Sequence, residues 1–162
     1  MGTNGAVVYV IDGERKEQYV HNDSYPEGLG VDVLKWLRKA WENPAVYEAA
    51  RRLKPIVLNH PAPTEDEQRA LAKYADLGVS GQSLSDWYCL LRTTQGDPAL
   101  TLEAGYVYGD AGSATFTYTV DFDAKTFTAS DWGGEIFGTW SFADLPKKKK
   151  FLKACTQDED ED

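Results

Sequence analysis

Residues 116–122 alternate strictly, with Phe116, Tyr118, Val120 and Phe122 on one side and Thr117, Thr119 and Asp121 on the other. That two-residue period is the mark of a strand with one buried face. Residues 126–130 follow across an Asp123-Ala124-Lys125 turn, residues 135–140 close the set, and residues 105–109 precede it, which predicts an antiparallel meander of about four strands. At the other end of the chain, residues 6–11 are apolar and rich in β-branched side chains. Asp12-Gly13 is a strong turn pair and residues 16–20 return alongside, giving an N-terminal β-hairpin.

Between the hairpin and the meander the period changes to that of a helix. Val33, Leu34, Leu37, Ala40 and Trp41 recur at helical spacing over residues 31–42, with Asp32 in the first turn where the helix dipole favours an anion. Asn43-Pro44 breaks this run and opens a second helix that ends near Leu53. Thr64 and Glu67 form a capping box ahead of Ala70, Leu71, Tyr74 and Leu77, a third helix stopped by Gly78. Leu84, Trp87, Tyr88 and Leu91, behind a weaker Ser83/Asp86 signal, make the stripe of a fourth. The expectation is an α+β fold in which a hairpin, about four helices and an antiparallel meander pack as one domain over residues 1–146. Residues 147–162 read as a charged, mobile tail, a block of lysines followed by an acidic run.

Composition narrows the function classes. Hydrophobic residues make up 42% of the 162 and aromatics 12%, enough apolar surface to offset the ordering entropy of a domain of this size. Five of the nine net negative charges lie in the last five residues. The remaining −4 is too mild for a mimic of DNA, and the absence of a basic stripe argues against binding double-stranded nucleic acid. No run approaches the roughly 18 apolar residues of a membrane span, and no signal-peptide pattern opens the chain. Two widely separated cysteines support neither a disulfide framework nor a metal site, so a cytoplasmic protein without a cofactor is expected.

The densest polar constellation is His21-Asn22-Asp23-Ser24-Tyr25-Pro26, followed by Gly28-Leu29-Gly30, at a strand-to-helix junction. Such junctions place side chains and backbone N–H groups where a polar ligand can be held. His21, Asp23, Ser24, Tyr25, Gly28, Gly30 and, from the aromatic set, Trp132 are the candidate ligand-binding residues. The same types also suit plain turn chemistry, in which Asp and Ser bond nearby backbone donors.

Met1-Gly2-Thr3 with Gly5, the hairpin, and Tyr19-x-His21-x-Asp23-Ser24-Tyr25-Pro26-x-Gly28-Leu29-Gly30 resemble a group of uncharacterised proteins from bacteriophages and actinobacteria. Their openings read like MGTRG, with a later YNHxDSYPxGLG, and their sheets end much as Gly138-Thr139-Trp140-Ser141-Phe142 does here. The likeness covers about the first forty residues. Asn4 stands where that group carries arginine, and Val20 where it carries asparagine. The resemblance implies a viral or mobile-element origin, and for a phage-encoded protein the cytoplasm would be that of the host.

Other chemistries find less support in the residues. An N-terminal nucleophile needs Cys, Ser or Thr as first residue, and Gly2 stands in the way of Thr3. Cys89, flanked by Tyr88 and Leu90, reads as a packed thiol. His21, His60 and Asp23 are the right donors for a metal, but nothing in their spacing brings the two histidines together. Gly28-Leu29-Gly30 lacks the later glycine and the lysine of nucleotide loops. Trp87, Tyr106, Tyr108, Trp132 and Trp140 suit a sheet core first and a base-stacking platform second. The leading expectation is a non-enzymatic accessory binding protein, with counter-defence as one role. It recognises a small polar or nucleotide-like ligand or a host protein. The alternative is a hydrolase using His21 and Asp23 as a general base pair.

Overall fold

Gly5–Ile11 (β1) and Glu14–Val20 (β2) form an antiparallel hairpin because Asp12 and Gly13 both take left-handed backbone angles, φ 53° and 79°. The computed structural model describes residues 3–57, 59–78, 83–109 and 114–156. After one π-helical turn over Pro26–Gly30 come Val31–Ala40 (α1), Pro44–Arg52 (α2) and the short strand Lys54–Ile56 (β3). Glu65–Leu71 (α3), Trp87–Leu90 (α4) and Pro98–Ala104 (α5) lead to Tyr106–Tyr108 (β4). Phe116–Asp121 (β5), Thr126–Asp131 (β6) and Ile136–Ser141 (β7) then precede the last helix, Lys148–Cys155 (α6). No described helix is long and apolar enough to cross a membrane.

The α+β class and the opening hairpin are as expected, whereas the sheet is mixed rather than antiparallel. Its order is β2-β1-β5-β6-β7, and β5 runs parallel to β1 with Gly5 opposite Phe116 and Tyr9 opposite Val120. The cause lies in β1, whose Ala6, Val7, Val8 and Tyr9 are all buried. A strand that is apolar on both faces belongs in the middle of a sheet. β2 takes one edge through the tight turn, and β5, arriving after the helices, takes the other.

The meander accordingly has three strands, since Tyr106–Tyr108 pairs in parallel with β3 as a separate two-stranded unit. Among the described residues six α-helices stand where about four were expected. α5 begins where the Asp97 carboxylate accepts the Leu100 N–H at 3.1 Å and Pro98 fills the first turn, and it ends at Gly105 with φ 85°. The expected third helix is shorter than its stripe suggests. It tightens into a 3₁₀ turn at Ala72–Tyr74, and Leu77 stays 56% exposed.

One face of the five-stranded sheet packs on helices. Val7, Tyr9, Tyr118, Val120 and Phe127 meet Val33, Leu34 and Leu37 of α1 and Phe151 of α6 in the main core. A second cluster of Ile56, Leu71, Tyr74, Trp87, Leu90 and Leu91 sits with the β3/β4 pair. Within the segment read as a charged tail, Lys148–Cys155 forms a helix. Four lysines hide a short amphipathic helix whose Phe151 is 0% exposed, while residues 157–162 lie outside the described part.

Phe151 packs its ring 5.9 Å from Phe127 and 5.5 Å from Trp140. Phe151→Ala is expected to cost about 3–5 kcal/mol, the usual loss for emptying a closed aromatic site. Urea unfolding checks it, and a loss below about 1 kcal/mol would place α6 outside the cooperative unit.

Candidate functional site

The loop from His21 to Gly30 is built by close approaches that small residues permit. Ser24 is fully buried; its N–H donates to the Thr3 carbonyl at 3.1 Å, and its own carbonyl accepts the Tyr118 hydroxyl at 2.7 Å. Burial pushes the Tyr118 phenol well above its ordinary range, so it stays a donor. A side chain at Gly5 would sit 2.5 Å from the Ser24 Cβ, and one at Gly28 would sit 2.7 Å from the Asp23 carbonyl. That carbonyl accepts the Leu29 N–H at 3.1 Å, which closes the loop over the π turn. Gly30 likewise leaves room for the rings of Tyr118 and Phe151. Ser24, Gly28 and Gly30 thus hold the loop against the sheet.

Asp23 and Tyr25 face solvent. Asp23 has φ 57°, a left-handed angle that Asp tolerates better than most residues, and Tyr25 is half-exposed with its ring 5.9 Å from Phe116. Asp23 lines a polar pocket of 280 Å³ together with Asn22, Asp32, Arg92 and Gln95. The last two come from a 3₁₀ turn over Arg92–Thr94 and the residue after it.

Gln18 of β2 anchors that turn. Its amide donates to the Thr94 carbonyl at 3.2 Å and to the Thr101 hydroxyl at 2.9 Å, and accepts the Gly96 N–H at 3.3 Å. The Gln95 carbonyl oxygen accepts the His21 N–H at 3.0 Å, which fixes the orientation of the amide. Among the described residues three buried polar atoms have no hydrogen-bond partner: Tyr9 Oη in the core, and Gln95 Nε2 and Arg92 Nε on side chains that line this pocket. Buried donors are paired as a rule, so orphans beside a pocket mark where an acceptor fits.

The structure separates the other candidates. His21 is exposed, its Nδ1 2.9 Å from the Tyr19 hydroxyl and its ring edge-on to Tyr88, and no hydrogen bond joins it to Asp23. His60 lies against a different ring, Trp87, and among the described residues no three metal-ligating side chains come together. Trp132 sits at the β6–β7 turn and does not line this pocket. Cys89 is buried with its thiol donating to the Asp76 carbonyl at 3.2 Å, and burial pushes the Cys155 thiol up to about 12, with the nearby Glu27 charge adding to it. Arg92, Gln95 and Asp32 were absent from the expected site. The first two lie some seventy residues from the loop, and only the Gly96-Asp97-Pro98 punctuation marks their neighbourhood.

No protein-family model matches the chain, and neither a curated protein nor a solved structure matches it.

The left-handed angle at Asp23 separates shape from chemistry at this position. Asp23→Ala is expected to lower stability by about 1 kcal/mol, because a Cβ without a local hydrogen-bonding group disfavours that angle. Asp23→Gly should stay within about 0.5 kcal/mol of the parent. Urea titration of both variants checks the order, and a reversed order would contradict the observed backbone.

Proposed function

We propose that this chain is a non-enzymatic binding protein that takes a small polar ligand, one carrying a carboxylate or phosphate oxygen together with an amine or hydroxyl, in the pocket between the His21–Gly30 loop and the Arg92–Gly96 turn. One observation carries the reading: Arg92 Nε and Gln95 Nε2 are buried donors without partners, both belonging to side chains that line one polar pocket. A guanidinium beside an amide suits a carboxylate or a phosphate oxygen, where charge-assisted hydrogen bonds are strong. Asp23 and Asp32 on the same lining suit a hydroxyl or amine on the same ligand.

Size favours a small molecule. The 280 Å³ of the pocket falls just below the roughly 300–1,000 Å³ typical of sites for drug-sized ligands. A compact hydroxy or amino acid fits that measure, as does the phosphate end of a nucleotide. A hydrolase is disfavoured because the His21 side chain bonds Tyr19, not Asp23, and does not line the pocket. The phage-type accessory role, counter-defence included, rests on the sequence resemblance alone.

The test is thermal-shift and calorimetric titration with inorganic phosphate and with serine, on the parent and on Arg92→Met. Stabilisation by either probe is expected, weakened at least about tenfold in Arg92→Met. The variant itself should unfold no earlier than the parent, because an apolar atom replaces an unpaired donor. An Arg92→Met protein that melts early and binds as before would make Arg92 a structural residue and end this reading.

A further inference from the structure

We propose that the open face of the five-stranded sheet is a binding site for a neutral oligosaccharide, with Trp132 as the surface on which a sugar ring stacks. The main core lies on one face of the sheet; on the other, Ala6 and Val8 of β1 are buried and Tyr88 of α4 lies against Tyr19 of β2, and the groove opens over β5, β6 and β7. There the strand registers set hydroxyls side by side: Thr119 of β5 opposite Thr128 of β6, Thr128 opposite Thr139 of β7, and Thr117 opposite Ser130. Thr128 and Thr139 join their hydroxyls at 3.1 Å, which leaves each with further bonding capacity. This ladder floors a groove of 570 Å³, twice the volume of the loop pocket, with Arg15 and Glu17 of β2 at one end and Trp132 and Ile136 at the other.

A lone exposed aromatic is ordinary, but Trp132 is 76% exposed on a turn that is rigidly made. Asp131 Oδ1 accepts the Gly133 and Glu135 N–H groups, each at 2.9 Å, and the Gly134 N–H donates to the Asp131 carbonyl at 3.1 Å. The β6–β7 register shifts by one residue between Ala129 and Ser130, just before this turn. Among the described residues no other ring packs on the indole, which is largely exposed.

The chemistry of the lining selects the occupant. Hydroxyls that both donate and accept match the hydroxyls of a sugar, and a flat indole covers the C–H face of a pyranose. Charge disfavours a polyanion, because Arg15 is outnumbered by Glu17 and Asp131 on the same lining. A peptide gains little here, since peptides add to sheets along edges, and on this face the backbone groups are already paired within the sheet.

The experiment is calorimetric titration of the full chain with short soluble oligomers of glucose, mannose and N-acetylglucosamine, with heparin and oligo-dT as anionic controls. Binding of at least one neutral oligomer is expected. It should weaken at least about tenfold in Trp132→Ala and be largely kept in Trp132→Phe, since an exposed stacking residue acts as a hot spot. Neither variant should shift the melting temperature, so loss of binding cannot be blamed on folding. Failure of every neutral oligomer to bind, binding that survives Trp132→Ala, or binding of the anions alone would each overturn the proposal.

Discussion

Two polar side chains buried on the inward face of β2 hold the helices to the sheet. Lys16 is 2% exposed, and its ammonium donates to the carbonyls of Ala50 at 2.9 Å and Arg51 at 2.8 Å, the last turn of α2. An ammonium taken out of water costs several kcal/mol unless other groups replace its hydration. Here the last-turn carbonyls, Ala50's shared with the Leu53 N–H, and the negative end of the helix dipole replace it, and the same contact caps α2. Two positions on, Gln18 is 1% exposed and satisfies the turn that carries Arg92 and Gln95. The loop pocket depends on this arrangement, because Gln18, together with the His21 N–H on Gln95, ties that turn to the strand and loop opposite it.

Local signals in the chain were legible because their partners are close in sequence. The Thr64/Glu67 box forms in both directions, and the alternation of β5 matches its burial. The inward row of β2 was not legible for the opposite reason. Lys16, Gln18 and Val20 alternate with Arg15, Glu17 and Tyr19, and a row of Lys and Gln reads as a solvated edge. Their burial depends on carbonyls more than thirty residues away. α6 was missed in a similar way, since four lysines dominate a segment in which Phe151 alone reaches the fully buried core.

The candidate loop was found where the polar residues cluster, but its parts divide differently from the expectation. Gly5 and Ser24 interlock, so the start of β1 and the Asp-Ser-Tyr-Pro run form one joint. Asn4 shows the same dependence in its own contact, where its side-chain oxygen accepts the Thr115 N–H at 3.1 Å and the Thr115 hydroxyl at 2.8 Å. Arginine has no acceptor, so this tie between the N-terminal strand and the approach to β5 belongs to asparagine.

β2 is the wall shared by both proposed sites. Its inward Gln18 organises the loop pocket, whereas its outward Arg15 and Glu17 end the hydroxyl groove, because successive side chains of a strand point to opposite faces. The two faces meet only through the backbone of a strand paired along its whole length with β1. Side chains without shared partners contribute independently, so changes at Arg15 or Glu17 act on the groove and changes at Gln18 on the pocket. Polar residues on both faces of one edge strand therefore serve separate ends, the inner ones joining layers of the fold and the outer ones standing open to a ligand.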